Sequence, residues 1–156
     1  LTDYMFRCAT RRSLVNRHAA AERDLKESRT SAAEAPTYVY HFTQPSRHTG
    51  PDECLGRACH MSELPFIFHR TPHGVPRHGE FSPAEKALSA SIIKYWAAFA
   101  RTGDPNDGSR GRASMPTWPV WTPHSRAQLI AKWPLEVDGG ACDEDCDAWD
   151  VRGYLW

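Results

Sequence analysis

Residues 82–106 read SPAEKALSASIIKYWAAFARTGDPN, and this stretch carries the strongest helix signal in the chain. Ser82 is a preferred N-cap residue, Pro83 suits the first helical position, and Glu85 completes a capping box. Apolar residues then recur at helical spacing, at Leu88, Ile92, Trp96 and Phe99. Since Gly103 and Pro105 are typical of a helix end, the stretch predicts a long helix with an apolar stripe in the core.

Upstream of this helix, the sequence predicts a shorter helix followed by a strand. Residues 14–26 place apolar or small residues on one helical face, at Leu14, Ala21 and Leu25, which predicts an amphipathic helix. Residues 36–42 (PTYVYHF) are rich in aromatic and β-branched residues and predict a short buried strand. A helix that leads into such a strand is typical of an α/β sheet.

The other segments are loops or shorter elements. The loop from Gln44 to about Glu63 contains Cys54, Cys59 and His60, and a stretch rich in Gly, Pro and His follows it. Farther on, residues 129–131 (LIA) predict a short edge strand, and residues 143–154 predict a final amphipathic helix. Loops that leave a strand end usually carry the functional residues of α/β folds, so loop 44–63 is the first place to look for a site.

The composition is that of an ordinary globular domain, with 40% hydrophobic and 24% charged residues. The length of 156 residues is sufficient for one domain with its own core. Lys+Arg and Asp+Glu number 19 each, so no basic excess is present to attract a phosphate backbone. No run approaches the roughly 20 apolar residues that a membrane span needs. We therefore expect neither nucleic-acid binding nor a membrane span.

The chain contains five cysteines, which is many for a domain of this size in a reducing compartment. Cys54 and Cys59 lie close together, as do Cys142 and Cys146, while Cys8 stands alone near the start. This distribution indicates disulfides in an oxidising compartment with one thiol left over, and metal binding is the alternative. The first residues lack the apolar run of a signal peptide, but the chain begins with leucine instead of Met, so this says little about the compartment.

Two motifs in the chain carry a resemblance to a known family. Residues 54–68 (CLGRACHMSELPFIF) contain a histidine followed by a Glu-Leu-x-Phe run, and residues 95–106 read YWAAFARTGDPN. Both resemble the C-terminal signatures of the type-B carboxylesterase/cholinesterase family, in which Asn stands at the position of Ala98. Residues 2–8 and 146–154 are similar to segments near the two ends of the last third of that family's domain. The matches follow the family's order along almost the whole chain.

The resemblance implies the C-terminal portion of an α/β-hydrolase fold, with long helices and one or a few strands of a larger mixed, mostly parallel sheet. Residues 1–156 would then be the C-terminal segment of a single domain whose N-terminal part, with the nucleophile and the acid, is absent. The nucleophilic serine of this family stands in a G-x-S-x-G turn, and no such motif occurs in the sequence.

The resemblance assigns the family's catalytic histidine to His60. It also places Glu63 nearby, where we expect its hydrogen bonding to support the loop without making it a triad member. Near neutral pH an imidazole can take the proton of a serine and return it to a leaving alcohol. The implied function is a serine hydrolase of small-molecule carboxylic esters that needs no cofactor and no metal, with its oligomeric state open.

Other functions remain open at this point. Some cholinesterase-like domains have lost catalysis and act as binding or adhesion modules, and a truncated product without activity is a third reading. A serine in an upstream G-x-S-x-G turn would support the hydrolase, and its replacement would support the binding module. On its own, the chain is expected to be inactive and to associate, because a strand edge and apolar helix faces would lack their partners.

The cysteine pairing expected for the chain is Cys54 with Cys59 and Cys8 with Cys146, which leaves Cys142 as the odd thiol. With the family resemblance, this pairing implies a secreted or lumenal protein. One alternative is a zinc site whose spacing fits no common zinc finger, built from Cys54, Cys59, His60 and one of His69, His73 and His78. The other is haem attachment, but the C-x4-C-H run is two residues longer than the usual motif.

Overall fold

A computed structural model describes residues 6–27, 35–45, 52–69, 80–107, 115–139 and 144–153 of the chain. The chain forms two compact units. The first unit comprises Leu1–Thr37, Val120–Ala127 and Gly139–Trp156, and the second comprises Tyr38–Pro119 and Gln128–Asp138. In chain order the elements are α1 (Cys8–Lys26), β1 (Tyr40–Phe42), a 3₁₀ helix (Asp52–Cys54), α2 (Leu64–Phe68), α3 (Pro83–Thr102), β2 (Gln128–Ala131), β3 (Glu136–Asp138) and α4 (Glu144–Arg152).

Helix α3 begins and ends at the residues that its sequence predicts. The Ser82 hydroxyl accepts a hydrogen bond from the Glu85 amide at 3.3 Å, and the Glu85 carboxylate accepts one from the Ser82 amide at 2.8 Å. Gly103 has the left-handed conformation (φ 76°), and its amide donates to the Phe99 carbonyl. This conformation is one that a side chain disfavours, so glycine is suited to the position. The predicted capping box and C-terminal glycine are confirmed.

The predicted apolar stripe of α3 is only partly confirmed. Leu88, Ile92 and Tyr95 are buried, but Phe99 is 49% exposed and Trp96 is partly buried. The prediction that Phe99 belongs to the core is therefore wrong. Phe99 lies one turn beyond Tyr95, near the helix end, where its ring meets Tyr38 edge-on at 6.0 Å and otherwise lines an open aromatic cleft of about 200 Å³.

The second unit contains a three-stranded sheet in the order β1-β2-β3. Strand β1 pairs with β2 in parallel, and β3 pairs with β2 antiparallel. The predicted strand at 129–131 is present, but it lies between two partners, so its prediction as an edge strand is wrong. The short apolar run at residues 129–131 does not reveal that Val137 and its neighbours form a further strand, β3, on the other side of β2.

Strand β1 is shorter and more exposed than the sequence predicts. Of residues 36–42 only Tyr40–Phe42 form the strand, and Tyr40 is 38% exposed. The prediction of a buried strand is therefore wrong for β1 as described. In the described sheet β1 pairs with a strand on one side only. The Tyr40 ring of β1 packs edge-on against Trp96, with their ring centroids 5.0 Å apart.

The core of the second unit joins α2, α3 and the sheet. Its buried members are Phe66, Phe81, Leu88, Ile92, Tyr95, Met115, Trp118, Leu129, Ala131 and Leu135. The buried Asn106 amide holds the backbone of Trp118 on both sides, since its Oδ1 accepts from the Trp118 amide at 2.7 Å and its Nδ2 donates to the Trp118 carbonyl at 3.0 Å. The Trp118 indole donates in turn to the Val39 carbonyl at 2.9 Å. The Asp-Pro-Asn turn after α3 thus connects the helix to the start of the sheet.

The first unit is held by contacts between α1 and α4. Cys8 and Cys146 are fully buried and form a disulfide with a Cα–Cα distance of 5.0 Å. Arg11, also buried, contacts Asp147 at 2.8 Å and Asp150 at 2.6 Å. Helix α1 begins earlier than its predicted start at residue 14, because the buried face of its first turns consists of a cystine and an ion-paired arginine.

The remaining predictions about helices are partly confirmed. The predicted face of α1 includes Leu14 and Ala21, which are both partly buried, while the side chain of Leu25 lies outside the described residues. The final helix is present as Glu144–Arg152, slightly inside its predicted limits.

Cys142 and most of the stretch rich in Gly, Pro and His lie outside the described residues. No helix in the described ranges is long and apolar enough to cross a membrane.

Tyr95 makes stability depend on alkaline pH. Burial raises the pKa of this phenol to about 12, and its hydroxyl donates to the Pro116 carbonyl. Because an unfolded tyrosine titrates near 10, the stabilisation is fully present below pH ~10 and is lost as the pH rises from ~10 towards the folded value. We expect the difference in free energy of unfolding between wild type and Tyr95→Phe to shrink by at most about 1.4 kcal/mol per pH unit in this window. Urea unfolding of both proteins at pH 8 to 11 measures this difference. A difference that stays constant with pH would contradict the raised pKa of Tyr95.

Candidate active site

His60 lies in a short turn between the 3₁₀ helix and α2, and its side chain is exposed. Immediately before it, Cys59 forms a disulfide with Cys54, with a Cα–Cα distance of 5.8 Å. The small ring closed by this disulfide is also internally hydrogen bonded, since the Arg57 amide donates to the Cys54 carbonyl at 3.0 Å. His60 is therefore presented to solvent at the edge of a compact, covalently closed loop.

Ser62 closes the turn on the other side of His60. Its hydroxyl accepts from the Cys59 amide at 3.0 Å and donates to the Cys59 carbonyl at 2.6 Å. The Ser62 amide donates to the same carbonyl at 3.0 Å, and the Ser62 side chain is almost fully buried. Between them, Met61 takes a left-handed conformation with φ 69°. The backbone on both sides of His60 is thus fixed by hydrogen bonds.

Helix α2 attaches the end of this segment to α3. Phe66 is fully buried and stacks on Phe81 at 4.8 Å, while the Ser89 hydroxyl of α3 donates to the Phe66 carbonyl at 2.7 Å. Because that hydroxyl proton is used, the contact of 2.8 Å between Ser89 Oγ and His69 Nδ1 requires the ring nitrogen to donate. His69 is therefore engaged at the end of α2 and caps it in a left-handed conformation.

Glu63 is the N-cap residue of α2 through its backbone, because its carbonyl accepts from the amides of Phe66 and Ile67. Its carboxylate makes no hydrogen bond to the helix cap. Burial raises the pKa of the Tyr40 phenol, and the charge of Glu63 raises it further. Glu63 thus lies within electrostatic reach of β1. Its expected side-chain support of the loop stays a prediction.

The two metal-based readings of this loop fail on the chemistry of its cysteines. Cys54 and Cys59 are bonded to each other, so neither supplies the thiolate that a zinc site needs or the thiol that haem attachment needs. The zinc alternative also invoked His69, which contacts Ser89, and His73 and His78, which lie outside the described residues. Within the described ranges, no group of three or more His, Cys, Asp and Glu side chains is arranged to hold a metal ion.

Sequence patterns predict that His60, Cys54 and Cys59 share one loop, which the structure shows, but they do not single out the hydrogen-bonding serines. Ser62 and Ser89 carry no pattern of their own, since a lone serine reads as an ordinary polar residue. A local signal existed for Ser62, because a serine two residues after His60 can bond back to the backbone of the turn. Ser89 had none, because its partners are 20 and 23 residues away.

As it stands, the described site offers one exposed imidazole on a rigid turn. An imidazole can accept and return a proton, but it supplies neither a nucleophile for acyl transfer nor donors for an oxyanion. Acyl transfer at this site would therefore need a nucleophile and oxyanion donors in addition to His60.

Residues 1–149 match the model of the carboxylesterase family. The chain is 34% identical to human bile salt-activated lipase over 106 residues, covering 67% of this chain and 13% of the lipase. It is 38% identical to the acetylcholinesterase of Gallus gallus over 94 residues, covering 58% of this chain and 11% of that protein. The chain thus spans a small part of the length of the relatives it matches.

The structure is similar to that of a solved family member. It superposes on a carboxylesterase of Geobacillus stearothermophilus with a TM-score of 0.55 and 29% identity, covering 73% of this chain and 22% of the bacterial one. The helices and the small mixed sheet are accordingly part of an α/β-hydrolase fold. The chain belongs to the carboxylesterase family.

Proposed function

We propose that this chain is the C-terminal segment of a single α/β-hydrolase domain and supplies its catalytic histidine, His60. The nucleophilic serine and the acid would lie upstream in the same domain. The observation that carries the proposal is the match to the family over residues 1–149, within which His60 occupies the turn before the Glu-Leu-Pro-Phe run. The rigid, solvent-facing placement of that turn suits a group that must meet a nucleophile on another part of the domain.

The proposed reaction is hydrolysis of a small-molecule carboxylic ester through an acyl-enzyme. His60 takes the proton of the serine hydroxyl as its oxygen attacks the ester carbonyl, and then gives that proton to the leaving alcohol. In the second half His60 takes a proton from water, which attacks the acyl group, and returns it to the serine. No cofactor enters this cycle. The acid partner would orient the imidazole and stabilise its protonated form.

The cysteines support an oxidising location for the proposed enzyme. Four of the five cysteines form the disulfides Cys8–Cys146 and Cys54–Cys59. Disulfides of this kind persist in secreted proteins and in the lumen of the secretory pathway, and they are rare in a reducing cytosol. We infer a secreted or lumenal protein, in which the Cys54–Cys59 ring keeps the turn of His60 in shape.

The test is made on the full-length protein that contains this chain. We expect it to hydrolyse 4-nitrophenyl butyrate and to react in a one-to-one ratio with a fluorophosphonate, which labels an activated serine. The isolated 156 residues serve as the control and should do neither. A folded full-length protein that binds no fluorophosphonate and hydrolyses no ester would overturn the enzyme proposal and favour a binding module of the same fold.

A further inference from the structure

We propose that Ser62 is a positioning residue for His60, an inference that rests on the proposed function. The Cys59 carbonyl belongs to the peptide group that joins Cys59 to His60. Ser62 holds that carbonyl through two donors, its hydroxyl at 2.6 Å and its amide at 3.0 Å. The orientation of this peptide plane determines where the Cα of His60 lies and the direction in which its side chain leaves the backbone.

The hydroxyl of Ser62 acts on both polar groups of Cys59. It also accepts from the Cys59 amide at 3.0 Å, so one oxygen bridges the amide and the carbonyl of the residue before His60. The sulfur of Cys59 is bonded to Cys54. Cys59 is therefore held by its amide, its carbonyl and its side chain. The Cys59 amide is held by the Ser62 hydroxyl alone. The Cys59 carbonyl is held by the Ser62 hydroxyl together with the Ser62 amide.

The turn needs these contacts because its backbone is unfavourable by itself. Met61 has φ 69°, in the left-handed region that side chains other than glycine, asparagine and aspartate rarely adopt. A residue with a long side chain keeps this conformation only when its surroundings fix it. Ser62 follows Met61 directly and is 1% exposed, so water cannot replace the hydroxyl's contacts once the hydroxyl is removed.

Loss of this restraint should appear in the chemical step. A histidine displaced by a fraction of an ångström to an ångström still lies beside the substrate, but it transfers the serine proton less efficiently. In the full-length protein we expect Ser62→Ala to lower kcat by about 10- to 100-fold while KM changes by less than about 2-fold. Because the expected effect is on proton transfer, the rate of fluorophosphonate labelling should fall together with kcat.

Ser89→Ala is a matched control for lost stability. Ser89 is another fully buried serine of the same unit, and its hydrogen bonds go to Phe66 and His69, beyond the turn of residues 59–62. Both variants lose a buried hydroxyl and should lower the unfolding midpoint to a similar extent. Only Ser62→Ala should lose kcat. Equal losses of kcat in the two variants, in step with stability, would show a merely structural role and overturn the inference.

The isosteric pair Ser62→Thr and Ser62→Val separates the effect of the hydroxyl from the effect of side-chain size. Both add the bulk of one methyl group, and only threonine retains the hydroxyl. We expect Ser62→Thr to keep at least a 10-fold higher kcat than Ser62→Val. Equal kcat values in this pair, in a protein that His60→Ala inactivates, would overturn the positioning role and leave the proposed function standing. A fully active His60→Ala variant would overturn the function itself.

Discussion

Replacing His60 by alanine in the full-length protein is expected to lower kcat for ester hydrolysis by several orders of magnitude. In this proposal the serine loses the base that removes its proton and the acid that protonates the leaving alcohol. The fold should be unaffected, because His60 is not among the described core residues and its removal leaves no cavity there. Steady-state kinetics with an activated aryl ester measure the loss, and thermal unfolding checks that the protein is intact.

The control for His60→Ala is a second exposed histidine that the mechanism does not use. His124 is exposed and has no role in the proposed mechanism, so His124→Ala should retain wild-type kcat. Fluorophosphonate labelling adds a second readout, because removal of the base should also slow attack of the serine on phosphorus. A folded His60→Ala protein with near-normal hydrolysis would mean that another group is the base, and the assignment would be withdrawn.

Features encoded within a few residues were predictable from the sequence. The start and end of α3 depend on Ser82, Glu85 and Gly103, whose side chains or conformations act on backbone groups at most four residues away. The assignment of His60 rested instead on the family resemblance and stays a proposal. The structure confirms the predicted Cys8–Cys146 disulfide, although no local rule pairs cysteines 138 residues apart.

Features that depend on distant partners were predicted poorly. Strand β2 looked like an edge strand because nothing in three apolar residues reveals β3, whose sequence Glu-Val-Asp carries one apolar side chain. Asn106 stands out in the sequence only as part of a motif, yet its amide holds the backbone of Trp118, twelve residues on. Phe99 continues the periodic stripe, but its ring lines an open cleft and is 49% exposed. In each case the deciding contact lies outside the window in which sequence patterns are read.

Removing the Cys8–Cys146 disulfide is expected to cost more stability than removing Cys54–Cys59. In the chain-entropy model the cost grows with the length of the closed loop, and the two pairs are separated by 138 and 5 residues. The model gives about 4–5 kcal/mol for Cys8–Cys146 and about 2 kcal/mol for Cys54–Cys59. The larger effect belongs to a buried bridge that joins α1 to α4, far along the chain from His60.

We expect the Cys8–Cys146 disulfide to matter more for stability and the Cys54–Cys59 disulfide to matter more for activity. The double variant Cys8→Ala/Cys146→Ala should lower the free energy of unfolding strongly but keep kcat while folded, because the Arg11 ion pairs still connect the two helices. The double variant Cys54→Ala/Cys59→Ala should lose less stability but more kcat, because Cys59 precedes His60 and its side chain is no longer held. For both full-length variants, guanidinium unfolding measures the free energy of unfolding and ester kinetics measure kcat. Equal destabilisation by the two double variants would contradict the loop-length argument, and unchanged kcat without Cys54–Cys59 would show that the ring does not shape the turn.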